Sequence, residues 1–130
     1  MLRNFLLVGA GGFLGSILRY GAGFIVKNVQ FPFATFIVNI LGCFIIGLVY
    51  GLAVRDPNFP MESKLFLATG ICGGFTTFST FAFENMNLMN SGHYLNVLFY
   101  CLGSVILGTA AVFAGLLLMK LFYTRQNFVE

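Results

Sequence analysis

Four side chains with hydroxyls, Thr76, Thr77, Ser79 and Thr80, are interleaved with Phe75, Phe78 and Phe81 directly after Gly70, Gly73 and Gly74. Hydroxyls exchange hydrogen bonds with a small ion in place of water, and aromatic rings present a negative face and a positive edge. Phe78 and Phe81, three apart, therefore offer weak positive potential at their edges without any titratable group. Asn39 adds an amide with two donors, flanked by Thr35 one turn earlier and by Gly42 and Cys43 about one turn later. A full positive charge would hold an anion too tightly to release, because conduction needs moderate binding at several sites. The chemistry these residues suit is anion passage, with Asn39, Ser79 and Thr80 replacing part of the ion's water. Each also has a plainer reading: two phenylalanines in a chain with 17 can simply pack, and Asn39 can clamp one helix to another.

These residues lie inside apolar spans. Of the 130 residues, 58% are hydrophobic and 8% charged, and the mean hydropathy is +0.92. A soluble domain carries about 25% charged residues, so the chain lacks the polar surface for one. Spans of roughly 20 apolar residues divide it into four membrane helices in a single domain over 1–130. The pattern places them from about Asn4 to Val26, from Pro32 to about Val54, from Ser63 to Met86 and from Leu95 to Phe122. The first is too long, and too soon followed by another, to be a cleaved signal peptide. The third is interrupted at its glycine-threonine segment, where the residues weaken a helix at membrane depth. Unpaired backbone is tolerated there only inside protein or along a watery path. In the fourth, Tyr100, Ser104 and Gly108 fall on one helical face as a short hydroxyl track.

Charge and glycine add orientation and assembly. The net charge of +3 is scattered over ends and loops, unlike the basic stripe of a nucleic-acid binder. Four spans put both termini on one side, which gathers Arg3, Arg55, Lys64, Lys120 and Arg125 against Lys27 and the nearby Arg19 opposite. That bias favours cytoplasmic termini. Gly11/Gly15, Gly47/Gly51 and Gly70/Gly74 are small-xxx-small pairs suited to close helix contact. One four-helix chain has little interior for a polar path, so a homo-oligomer is expected. Arg19 either snorkels to headgroups or borders an anion vestibule, and Glu84 is an interfacial charge within conceivable reach of Thr35.

Other chemistries fail on spacing. In Gly9-Ala10-Gly11-Gly12-Phe13-Leu14-Gly15 the third glycine is one place late for a dinucleotide loop, and no acidic residue follows where one is needed. Cys43, Cys72 and Cys101 lie in three different spans, which suits small core residues and supports neither a metal nor a disulfide site. His93 stands alone in a polar loop, so no catalytic triad forms and an enzyme is not expected. A small dimeric proton-coupled multidrug or cation exporter, the rival reading, needs an acid deep in a helix, where the first span offers only Arg19.

The segment from Gly73 to Phe81 resembles the signature of the Fluc (CrcB) family of bacterial fluoride channels. Gly9 to Tyr20 and Thr35 to Gly42, with Phe44 and Gly47, agree with it in order and spacing. The resemblance implies an antiparallel, dual-topology homodimer in the bacterial inner membrane with two fluoride pores along its interface. It implies that Phe78 and Phe81 form an aromatic box, that Asn39 bonds fluoride with Ser79 and Thr80 beside it, and that Tyr100 and Ser104 continue a polar track. Thr35 and Glu84 would face each other near the pore, with Arg19 by the vestibule. Gly73 and Thr76 would give backbone carbonyls to a structural Na⁺ on the two-fold axis. Gly108 and Val112 stand where relatives often carry hydroxyls, so the distal track is interrupted here or completed by backbone or Thr109. The basic bias is also greater than a chain inserting equally both ways would carry.

Overall fold

A computed structural model describes residues 1–26 and 30–126, and the described part is all helical. Helix α1 spans Leu2–Ile25 and α2 spans Phe33–Arg55. The third span is composite. It opens as α3 (Met61–Lys64), winds as a π-helix over Leu65–Cys72, returns to α in α4 (Gly73–Phe75) and resumes as α5 (Phe78–Asn90). Helix α6 closes the fold over Tyr94–Gln126. Four spans are thus long and apolar enough to cross a membrane, as the pattern required. Lys27, one of the residues in the charge count, lies outside the described residues.

The helix break differs in place from the expectation. The glycines stay helical, and the chain leaves the helix at Thr76 (φ −79°, ψ 157°) and Thr77 (φ −152°, ψ 118°), both extended. Glycine's helix cost of about 1 kcal/mol is offset here by contact. A side chain at Gly11 would meet the Phe66 carbonyl and the Gly70 backbone, and one at Gly15 would meet the backbone from Ile71 to Phe75. Gly74 in turn lies against Gly12. Helix α1 is thereby laid along residues 65–75, backbone to backbone. On the other side α2 pairs with α6, where Gly47 faces Val112 and Gly115 faces the Phe44 and Leu48 backbone. The pairs Gly11/Gly15, Gly47/Gly51 and Gly70/Gly74 all lie at such contacts.

Little of the chain is buried within the protomer. Val38, Ala68, Cys72 and Tyr100 form its small core, while Phe5, Phe13, Phe83, Phe99, Phe113 and many other large apolar side chains face outward. That outward face matches hydrocarbon rather than water. Arg3 pairs with Glu62 at 3.3 Å, and the Lys64 ammonium lies 4.6 Å from the Tyr50 ring centre. With the Arg55 guanidinium donating to the Gly51 carbonyl, these basic groups gather at one end of the bundle, as the charge count anticipates.

Candidate functional site

Helix α2 enters the site with Thr35, Asn39 and Gly42, one face of the helix. The Asn39 amide meets the break from the side. Its oxygen accepts from the Thr77 N–H at 2.8 Å and its nitrogen donates to the Thr77 carbonyl at 3.2 Å. This reciprocal pair satisfies backbone that the break would otherwise orphan at membrane depth. Thr77 then caps α5: its Oγ accepts from the Thr80 N–H at 3.2 Å and donates to the Thr80 hydroxyl at 3.0 Å, with Ser79 Oγ 3.3 Å away. Thr77 is buried, whereas Ser79 and Thr80 are exposed.

The break frees two carbonyls of the set expected to hold a cation. In an unbroken helix the Gly73 and Thr76 carbonyls would accept from the N–H groups of Thr77 and Thr80. Those donors are directed to Asn39 and to the Thr77 hydroxyl instead. Hard oxygens so released suit an alkali or alkaline-earth ion, and the exposed Gly73 has nothing near its missing side chain within the protomer. The donor set therefore fits Na⁺.

An aromatic and carboxylate layer sits next to the break. Phe78 and Phe81 are 5.7 Å apart between ring centres and tilted by 35°. Phe81 packs at 4.7 Å on Tyr100 in an edge-on arrangement, and Phe31 and Phe36 complete the cluster around that tyrosine. Phe78, by contrast, is 80% exposed. Tyr100 is wholly buried and donates its hydroxyl to Glu84 Oε2 at 2.7 Å, while Thr35 donates to Glu84 Oε1 at 2.8 Å. The carboxylate thus ties α2, α5 and α6 together by two charge-assisted bonds. Ser104, one turn beyond Tyr100, has a buried hydroxyl with no partner among the described residues.

Arg19 joins this group across a cavity of ≈ 570 Å³ that Thr35, Thr77, Thr80 and Glu84 also line. Glu84 lines a second, smaller cavity with Asn87, Ser91 and His93. The structure therefore brings Thr35, Glu84, Tyr100 and Phe81 into contact, places Asn39 on the break, and leaves Phe78, Ser79 and Thr80 presented outward. Sequence reasoning missed the hub role of Thr77, whose only local signal is a threonine three residues before Thr80. It also missed Asn85, buried, which donates to the Phe81 carbonyl at 2.9 Å and accepts from the Cys101 thiol at 3.4 Å.

The pattern that defines the family described as "CrcB-like protein, Camphor Resistance (CrcB)" matches residues 6–116, which includes all of these positions. The chain belongs to the CrcB family. Relatives in that family run the full length of this one. It is 50% identical over 119 residues to a protein of Chlorobium phaeobacteroides strain DSM 266 (90% of this chain, 92% of the relative). It is 48% identical to one from Chlorobaculum tepidum (93% and 98%), and 42% identical to one from Azobacteroides pseudotrichonymphae (94% and 100%). All three carry the name fluoride-specific ion channel FluC. This CrcB protein, with its four apolar spans, is a multi-pass membrane protein.

Proposed function

We propose that this chain is a passive, fluoride-selective channel of the bacterial inner membrane that lowers cytoplasmic fluoride. The observation that carries the reading is the exposed row of Phe78, Ser79 and Thr80 at the start of α5, inside an apolar span and next to the Asn39 clamp. Full-length likeness to relatives named as fluoride-specific channels supports it.

Hydroxyls and freed carbonyls facing outward from one protomer need cover in lipid. A second copy in antiparallel orientation supplies it, and two pores then run along the shared interface. In each, Phe78 and Phe81 offer ring edges, one Asn39 N–H and the Ser79 and Thr80 hydroxyls replace water, and Tyr100 and Ser104 extend the path. Ser104's unpartnered hydroxyl is available for that task. Arg19 draws anions toward the wide cavity without touching the narrow path. The Gly73 and Thr76 carbonyls would hold a structural Na⁺ at the dimer centre, where it supplies fixed positive charge and ties the broken helices together.

Export needs no coupled energy source. An inside-negative potential of 100 mV is worth about 2.3 kcal/mol per charge, about a fifty-fold gradient. Purified protein in liposomes should release fluoride, read with a fluoride electrode, while a chloride control stays trapped. Phe81→Ile should abolish that release and leave a folded dimer. Wild-type protein that releases no fluoride would discard the reading in favour of proton-coupled cation export.

A further inference from the structure

We propose that Gly42 is a positioning residue for the helix break: its missing side chain is the socket that receives the Thr76 methyl. This rests on the channel reading for its functional consequence. Asn39 and Gly42 lie three residues apart on one face of α2, and between them they hold both extended residues. Asn39 holds Thr77 by its two hydrogen bonds. Gly42 holds Thr76 by shape, since a methyl group added there would collide with Thr76 Cγ2 and lie 3.6 Å from the Phe75 ring.

Thr76 has no easy escape from such a collision. Its N–H and its Oγ both donate to the Cys72 carbonyl, at 2.9 and 2.8 Å, so turning the side chain away breaks the second bond. β-Branching leaves few alternative rotamers. A methyl at Gly42 therefore moves the break itself. Thr77, next in the chain, caps α5, and α5 carries Phe78 and Phe81 at its first and fourth positions. Displacement at Thr76 is passed directly to the aromatic pair. Poorer helix formation cannot explain a loss, because alanine is the better helix former.

A double-mutant cycle tests the contact. Thr76→Ser removes Cγ2 and keeps the hydroxyl that Cys72 accepts. Four proteins are compared by fluoride efflux per reconstituted dimer: wild type, Gly42→Ala, Thr76→Ser and the double variant. Gly42→Ala should slow efflux about tenfold in the wild-type background and less than about threefold in the Thr76→Ser background. If Gly42→Ala alone fails to fold, a folded and conducting double variant carries the same meaning. Equal losses in both backgrounds, or no loss from Gly42→Ala, overturn the proposal while the channel reading stands. Wild-type protein without fluoride release removes both.

Discussion

Two polar side chains in apolar helices, Asn39 and Glu84, carry most of the local chemistry, and each is satisfied by partners far away in sequence. The Asn39 oxygen and one of its N–H groups are taken by Thr77. Its second N–H has no protein acceptor among the described residues, so the clamp and the ion donor are two uses of one amide. Asn39→Asp keeps the acceptor but sets a second oxygen against the Thr77 carbonyl, a cost of about 1–3 kcal/mol. The variant should melt lower and lose fluoride efflux, and unchanged efflux would remove Asn39 from the pore. Glu84 accepts from Thr35 and Tyr100. Tyr100→Phe leaves half of that carboxylate unpaired, worth about 2 kcal/mol for a bond to a charged group. Thermal melting in detergent should shift down accordingly, and a wild-type midpoint would mean the carboxylate is not a structural tie. The sequence marks Asn39, Thr35 and Glu84 because polar groups in apolar spans are costly. It does not mark Thr77, whose importance comes entirely from the residue it meets 38 positions earlier.

At the level of elements, glycine spacing made the helix contacts legible and made the break misleading. Gly70, Gly73 and Gly74 read as helix weakeners, yet α1 comes so close to Gly70 and Gly74 that only glycine fits there. The helix ends two residues later, where Thr77 supplies its own cap and Asn39 accepts its N–H. Contact in the folded bundle, not local propensity, decides the position. Gly15→Ala drives a methyl into the backbone from Ile71 to Phe75. Overpacking of that kind costs about 1–3 kcal/mol, so its melting midpoint should fall. Gly9→Ala, where the added methyl meets nothing within 4 Å, should melt like the wild type. Equal midpoints for the two would mean that α1 does not lean on the broken helix as described.

For the whole molecule, hydropathy gave the four spans and their order, because lipid imposes one simple length rule. The assembly is less legible, since it depends on which exposed groups find a partner. Ser79, Thr80 and Gly73 are exposed in a protomer whose outside is otherwise apolar. Light scattering in detergent should therefore give protein near twice the 14.3 kDa of one chain, and a monomer would leave those groups unexplained. Helix α6, with 33 residues, is about 50 Å long against about 30 Å of hydrocarbon, so its end stands clear of the bilayer. Trypsin added outside sealed vesicles should then reach Arg125 in about half the chains if both orientations insert, and in nearly all or none if a single orientation prevails. The π-wound stretch Leu65–Cys72 has a different kind of consequence. A π-helix stores more residues in each turn than the 3.6 of an α-helix. Deleting one residue there would let an ordinary α-helix close, but everything beyond would swing round by about 100°. Thr76 and Thr77 would leave Asn39 and Gly42, and Phe81 would leave Tyr100. Descendants of this chain are free to exchange one apolar residue for another along that stretch, whereas a single-codon loss would put the two halves of the molecule out of phase.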